Sequence, residues 1–464
     1  MTQASIAVFA SELEQIVWGP IMLTLLLGTG IYLTIGLKFM PIRRLKAGFK
    51  SLLSHSSTTH DPSVKGITPL QALMTSLSGT IGSGNIIGVA TAIIMGGPGA
   101  VFWMWVTALC GMASKYSEGL LAIKYRTKNK QGFLVGGPMY YMKLGLPKKW
   151  VWLGSAYAIL MVLGGLATGN MIQANSISQV LKINFSIDPT YSAIGLCILI
   201  FSVIIGGIQS ISRLAEFTVP IMTGLYLLIG TIILVLNYAS IPSAFTLIFD
   251  GAFSGTAAVG GFAGAAIKAA IQAGVARGLY SNEAGAGSAA IAHGSSENTD
   301  PIKQGEIAML GTFIDTIIVC TMTSLIILTV QIETSGINQD VWSLAGSGAN
   351  LTSRAFSAGF SGGGYVVIVG QLIFAFTTMI TWSFYVESAA VYLGGERVAK
   401  LFRIIYIMFV FIGCVSEFKT IWSFGVALFG IMALPNLITL LLKSKEIFAM
   451  AKEAHDKRQQ ALNE

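Results

Sequence analysis

Residues 76–88 read SLSGTIGSGNIIG, and the reading of this stretch decides the fold. It lies inside an apolar segment, roughly residues 70–95, that is otherwise long enough to cross a bilayer as one helix. Gly79, Gly82, Gly84 and Gly88 crowd its middle, with Ser76, Ser78, Thr80, Ser83 and Asn85 between them. Each glycine costs a helix interior up to about 1 kcal/mol relative to alanine. Ser and Asn side chains offer partners to backbone groups that leave the helix. In hydrocarbon, irregular backbone survives only where it lines a cavity or is buried in protein. The stretch therefore predicts a helix interrupted near the membrane midplane. Its free carbonyls could hold a cation, and the N-terminus of its second half could hold an anion. Close packing of the GxxxG type fits the spacing of Gly84 and Gly88, but it needs neither Asn85 nor the run of small polar residues.

The rest of the chain supplies the setting. Of 464 residues, 53% are hydrophobic and 11% charged, against about 25% charged in soluble proteins. This is a polytopic, all-α membrane protein. The first apolar run, 16–37, follows Glu12 and Glu14 rather than a basic region and is too long for a signal, so it reads as a retained helix. Cys110, Cys197, Cys320 and Cys414 all fall in apolar segments and read as small buried hydrophobes, not disulfides. The four histidines are scattered, with no HExxH or Cys–His constellation, so an enzyme is not expected.

Eleven spans are expected, at about 16–37, 70–95, 98–123, 151–180, 190–210, 214–237, 255–276, 304–331, 363–393, 401–417 and 420–442. Alternate connections (38–69, 124–150, 211–213, 277–303, 394–403 and the tail) carry most of the 29 Lys and Arg. The opposite side has only Lys182, Arg354 and Lys419. This alternation puts the N-terminus outside and the C-terminus in the cytoplasm, and it makes the net charge of +8 an orientation signal rather than a nucleic-acid footprint. The expected organisation is 1–69 (a first helix and basic loop), 70–240 and 241–442 (five helices each, in opposite orientation) and a tail, 443–464. The opener of the second set also looks interrupted, by Gly251, Gly255, Gly260, Gly261 and Gly264. Two Gly-interrupted helices at corresponding places in inverted halves point to the central site of a secondary transporter.

Polar residues within the spans extend the list of candidates. Asn170 and Gln173, three apart, share a face of helix 151–180 and read equally as ligand contacts or helix glue. Thr377, Thr378 and Trp382 sit near the centre of 363–393, where a threonine pair would suit Na⁺ and Thr378 with Trp382 forms an i, i+4 pair. Asp315 is an intramembrane carboxylate, a proton or cation relay or a partner for Lys268, Arg277 or a backbone donor. Lys115 and Glu118 read as a local ion pair, and Glu283 and Glu387 as gate or packing charges.

Several strings go further: GSGNIIGVATAIIMGGPGAVFWMW (82–105), GGPMYYM (136–142), GNMIQANS (169–176), GVARGLYSNEAGAGSAAIAHG (274–294) and TMITWSFY (378–385). From about Pro69 to Leu434 the chain resembles the alanine or glycine:cation symporter family. The resemblance implies a leucine-transporter-type fold, five plus five inverted helices after one extra N-terminal helix. It also implies uptake of small neutral amino acids with Na⁺ across a bacterial or archaeal cell membrane. Carried onto this sequence, it implies that the amides of Gly82, Ser83, Gly84 and Asn85, with Thr80, meet the substrate carboxylate. The carbonyls of Ser78 and Ile81, with the hydroxyls of Thr377 and Thr378, would hold Na⁺. Asn170 and Gln173 would orient the substrate, and Phe262 and Trp382 would close the apolar side. The rivals are proton coupling through Asp315 or Glu387 and, from another class, a channel.

Overall fold

The computed structural model describes residues 3–53, 65–253, 263–334, 337–340 and 348–463. It is almost wholly helical; two short antiparallel hairpins pair Thr127–Lys128 with Leu134–Val135 and Gln331–Thr334 with Ile337–Asp340. Among the described residues, five helices are long and apolar enough to cross a membrane, and two bent pairs become seven in all if each pair is one span. One of the five, Gly363–Val415, has 53 residues, about 80 Å at helical rise. That is far more than the roughly 30 Å of hydrocarbon. Gly395, at φ 75°, ends the helical path and divides it.

Helix starts are written locally. Thr68 accepts from the amide of Gln71 while the Gln71 side chain accepts from the amide of Thr68, a reciprocal cap followed by Pro69. Asp188 and Asp300 cap the helices that begin at Pro189 and Pro301. The outside of the bundle is apolar, with Ile194, Ile198, Phe201 and Leu228 exposed as lipid-facing residues. The inside carries buried Ser78, Asn85, Gln173, Asp315 and Thr378, so burial here gathers polar groups between helices. Small residues let the helices come close. A Cβ on Gly119 would stand 2.6 Å from that of Ala308, and one on Gly305 2.8 Å from the carbonyl of Tyr116. This seats Ala100–Lys124 against Pro301–Thr312.

The first interruption falls within the expected stretch. Pro69–Thr80 ends, Ile81 is extended (ψ 100°), and a π turn at Gly84–Gly88 leads into Val89–Gly96. The two pieces are bent by 52°.

The second half departs from the sequence expectation. Residues 254–262 lie outside the described set. The helix read as 255–276 is described from Ala263 and runs on to Asn282. Its interruption follows, where Glu283, Gly285 and Gly287 take positive φ before the short helix Ser288–Gly294. Residues 277–282 are thus helical, not part of a connecting loop. Gly251 serves close packing instead, since a Cβ there would stand 2.8 Å from the amide nitrogen of Gly99. The N-terminal run is also longer than expected. Gln3–Val17 precedes Pro20–Gly36 at an angle of 41°, and the Trp18 indole donates to the carbonyl of Val426 at 3.0 Å. At the other end, Phe418–Asn463 is one helix. Its tail docks through Arg458 on buried Glu306, which Arg44 also pairs.

Candidate functional site

The first break faces the middle of Gly363–Val415. The Thr378 hydroxyl reaches two carbonyls, Ser78 at 3.0 Å and Ile81 at 3.3 Å, so three oxygens converge where the helix opens. Glycine permits this, because a Cβ on Gly82 would come 2.7 Å from Thr378 Oγ1. The Ser78 hydroxyl donates to the carbonyl of Thr377 (3.0 Å) and accepts from Thr381 (2.9 Å). Thr377 turns its own hydroxyl back onto Phe374 at 3.1 Å, so its carbonyl, not its hydroxyl, touches the broken helix. A hard cation binds such neutral oxygens by taking the place of the hydroxyl proton between the carbonyls.

The amides of the break are partly engaged. Asn85 Oδ1 accepts from Gly82 N at 3.0 Å, and Gln173 Oε1 from Ser83 N at 3.4 Å. Thr80 bonds back to Ser76 and Leu77, both at 3.2 Å. A cavity of about 10 Å³ remains between Thr80, Gly82, Gly84, Gln173, Tyr280 and Trp382, room for roughly one water. Glu283 and Thr378 also border it. Trp382 is 1% exposed, donates to the carbonyl of Gly79 at 3.3 Å, and lies against Gly165 and Gly169, where a Cβ would collide with its ring or with Val386.

Asn170, in the π segment Gly165–Met171, and Gln173, in the helix that follows, turn to different partners. Gln173 borders the cavity, whereas Asn170 donates to the carbonyl of Tyr406 at 2.7 Å, away from it. Phe262 lies outside the described residues.

At the second break the freed main chain is held by charges and amides. Lys115 donates to the carbonyl of Glu283 (3.3 Å), Glu118 Oε1 accepts from Gly287 N (3.1 Å), Asn436 donates to the carbonyl of Gly285 (2.8 Å), and Tyr157 to that of Ala286 (3.0 Å). Lys115 and Glu118 therefore reach the break rather than one another. Asp315 lies in a π segment, Phe313–Cys320. It accepts from Asn85 Nδ2 (2.7 Å), Ser281 (2.9 Å) and Thr316 (2.8 Å), which ties the two broken helices together without Lys268 or Arg277. Glu387 pairs with Arg403 through both oxygens, at 2.6 and 2.8 Å.

Tyr280, Ser281 and the cavity role of Glu283 escaped the sequence reading. The signal was present in SNEAGAG (281–287), where two glycines two apart follow Asn and Glu. It was absorbed into a loop by the neighbouring Arg277. A much larger cavity, about 960 Å³, opens at the helix ends remote from the basic loops, bordered by Glu14, Trp18, Thr91, Arg277, Gln371 and Trp422.

With this geometry in hand, comparison with known proteins is informative. Residues 3–464 match the sodium:alanine symporter family. The chain is 43% identical over 450 residues to the sodium/alanine symporter AgcS of Methanococcus maripaludis, covering 97% of each. It is 34% identical over 444 residues to the probable sodium/glutamine symporter GlnT of Bacillus subtilis, covering 95% of this chain and 89% of that one. Among solved structures, a Na⁺-coupled sialic acid symporter in a substrate-bound outward-open state aligns with a TM-score of 0.53 at 13% identity, over 92% of this chain and 98% of that one. MhsT in complex with L-phenylalanine aligns with a TM-score of 0.52 at 13% identity, over 80% and 89%. At such identities these structural likenesses speak to fold alone.

Proposed function

The chain belongs to the sodium:alanine symporter family, and from that premise we propose how its two broken helices carry out Na⁺-coupled amino-acid symport. It is an integral membrane transporter of the leucine-transporter type, and Na⁺ is its coupling ion. We read eleven spans, one followed by two inverted sets of five, with the N-terminus outside and the cell membrane of a bacterium or archaeon as its location. Alanine and glycine are the proposed substrates.

The observation that carries the site assignment is the convergence of Thr378 Oγ1 on the carbonyls of Ser78 and Ile81. We assign Na⁺ to these three oxygens. Thr377 contributes through its carbonyl, by holding Ser78. The substrate carboxylate goes to the amides after Ile81, with Gln173 yielding Ser83 N. Glu283, at the second break and bordering the same cavity, is assigned to the substrate ammonium. Trp382 and Tyr280 wall the side-chain end. Cation and substrate then organise opposite sides of one short non-helical stretch, so each favours the conformation the other needs. The wide cavity on the side of Glu14 supports an outward-facing arrangement closed over a central site too small to hold substrate until Tyr280 or Trp382 moves.

The test is uptake of labelled alanine and glycine by proteoliposomes under an imposed Na⁺ gradient, with an imposed proton gradient as control. Accumulation driven by Na⁺ alone is expected. Accumulation that follows the proton gradient without Na⁺ would overturn the assignment.

A further inference from the structure

Arg277 lies one helical turn before Tyr280, on the wall of the wide cavity, and is 5% exposed. Its Nη2 pairs with Glu14 at 3.2 Å, and the guanidinium stacks over Trp422, 5.3 Å from the ring centroid. Its Nη1 is buried and has no hydrogen-bond partner. A buried guanidinium donor left unpaired costs free energy comparable to a lost charged hydrogen bond, so its retention calls for an acceptor that comes and goes. A second donor on the same cavity wall is in the same condition: Nε2 of Gln371, a residue 3% exposed. The cavity, about 960 Å³, is within the about 300–1,000 Å³ of small-molecule sites. The spare guanidinium donor, fully charged, on a planar fork and with an aromatic face beneath it, suits an anion of carboxylate shape.

We propose that this cavity holds an outer station for the substrate, in which Arg277, with Gln371 on the same wall, binds the carboxylate of an amino acid before it reaches the central site. The proposal rests on the symport reading for what that carboxylate belongs to. Glu14 shares the guanidinium and so competes with the incoming carboxylate. Tyr280, whose ring centroid is 5.4 Å from that of Trp422, separates the station from the central cavity. Station and central site then lie on opposite sides of one aromatic barrier.

Trp422 gives the readout, as arrival of a carboxylate on the stacked guanidinium alters its fluorescence. Reconstituted protein is titrated in Na⁺-free potassium buffer with alanine, alaninamide and propionate. Alanine and propionate should give a saturable change, alaninamide none, and Trp422→Phe should abolish the signal. Arg277→Gln should weaken the propionate response about tenfold or more, and Arg277→Lys should weaken it less. Glu14→Gln should strengthen it, because the guanidinium is released to the ligand. Thr378→Val, altered only at the central cation site, should leave the titration as in wild type. If Glu14→Gln and Arg277→Gln both weaken the response, Arg277 is merely an ion-pair partner and the station is refuted. An equal response to alaninamide refutes it too. Wild-type Na⁺-driven uptake, measured in the same vesicles, separates the two readings. Lost uptake with an intact titration sinks the symport assignment, and intact uptake without a carboxylate response sinks the station.

Discussion

The two broken helices interrupt the same kind of element in different ways. At the first break the loosened carbonyls, Ser78 and Ile81, meet a single neutral hydroxyl, that of Thr378. At the second, Gly287 N, the carbonyls of Glu283, Gly285 and Ala286, and the amide of Ala284 are each claimed by a different side chain, from Glu118, Lys115, Asn436, Tyr157 and Asn282. Neutral hydroxyl pairing is cheap to exchange, whereas a buried charge paired with main chain is costly to disturb. The first break is thus built to trade partners with a ligand, and the second to keep its shape while presenting Glu283. Asp315 joins them, taking Asn85 from one and Ser281 from the other.

The most severe way to break this contrast is to remove Glu118. Glu118→Ala leaves two buried donors, Gly287 N and Asn436 Nδ2, short of an acceptor. At about 1–3 kcal/mol for each buried donor left unpaired, a loss of about 2–6 kcal/mol is expected. It should appear as a large drop in thermal midpoint in detergent, together with lost uptake. Glu118→Gln, which keeps an acceptor oxygen, should lose less. Wild-type stability in the alanine variant would mean that the second break holds itself.

Trp382→Ala comes next. It removes a wholly buried ring that rests on Gly165 and Gly169 and donates to Gly79. The cost should be about 3–5 kcal/mol at most, lessened if water fills the space. The informative readout is competition, since amino acids with larger side chains should now inhibit alanine uptake. An unchanged competition profile would take Trp382 out of the pocket wall.

How far the sequence reaches follows the same contrast. The first break was legible because glycine and small polar residues accumulate in a segment with no charges, where nothing else explains them. The break at Glu283–Gly287 was not legible because its glycines stand among Arg277, Glu283 and His293, and charge near a span end looks like a loop; Gly255, Gly260 and Gly261, within the interruption expected from the sequence, lie outside the described residues. Arg277 is buried only because Glu14 and Trp422, distant in sequence, close over it. Pairings of that kind leave no local pattern. The π segment Gly165–Met171 was equally silent, and Asn170 and Gln173, three apart in sequence, find different partners. Membership of the fold, by contrast, was carried by long contiguous strings and needed no geometry.

A smaller effect sharpens the cation assignment. Thr378→Val keeps the volume of the side chain but removes the hydroxyl that Ser78 and Ile81 share. One charge-assisted contact of about 1.5–3 kcal/mol corresponds to a roughly 10- to 100-fold rise in the Na⁺ concentration for half-maximal uptake. Uptake at saturating Na⁺ should change far less. An unaltered Na⁺ dependence would remove this residue from the site.

Thr377→Val is the matched control and should do least. Its hydroxyl bonds to Phe374 one turn back in its own helix, and its contact with the broken helix is made by its carbonyl, which valine retains. Losing such a back-bond is worth less than about 1 kcal/mol, so the Na⁺ requirement should stay within about fivefold of wild type. The adjacent threonines, both buried, thus give a clean separation by hydroxyl direction alone, at equal volume. A rise in the Na⁺ requirement matching that of Thr378→Val would show that the Thr377 hydroxyl rotates onto the cation when it binds. The first break would then exchange partners on two residues of the facing helix rather than one.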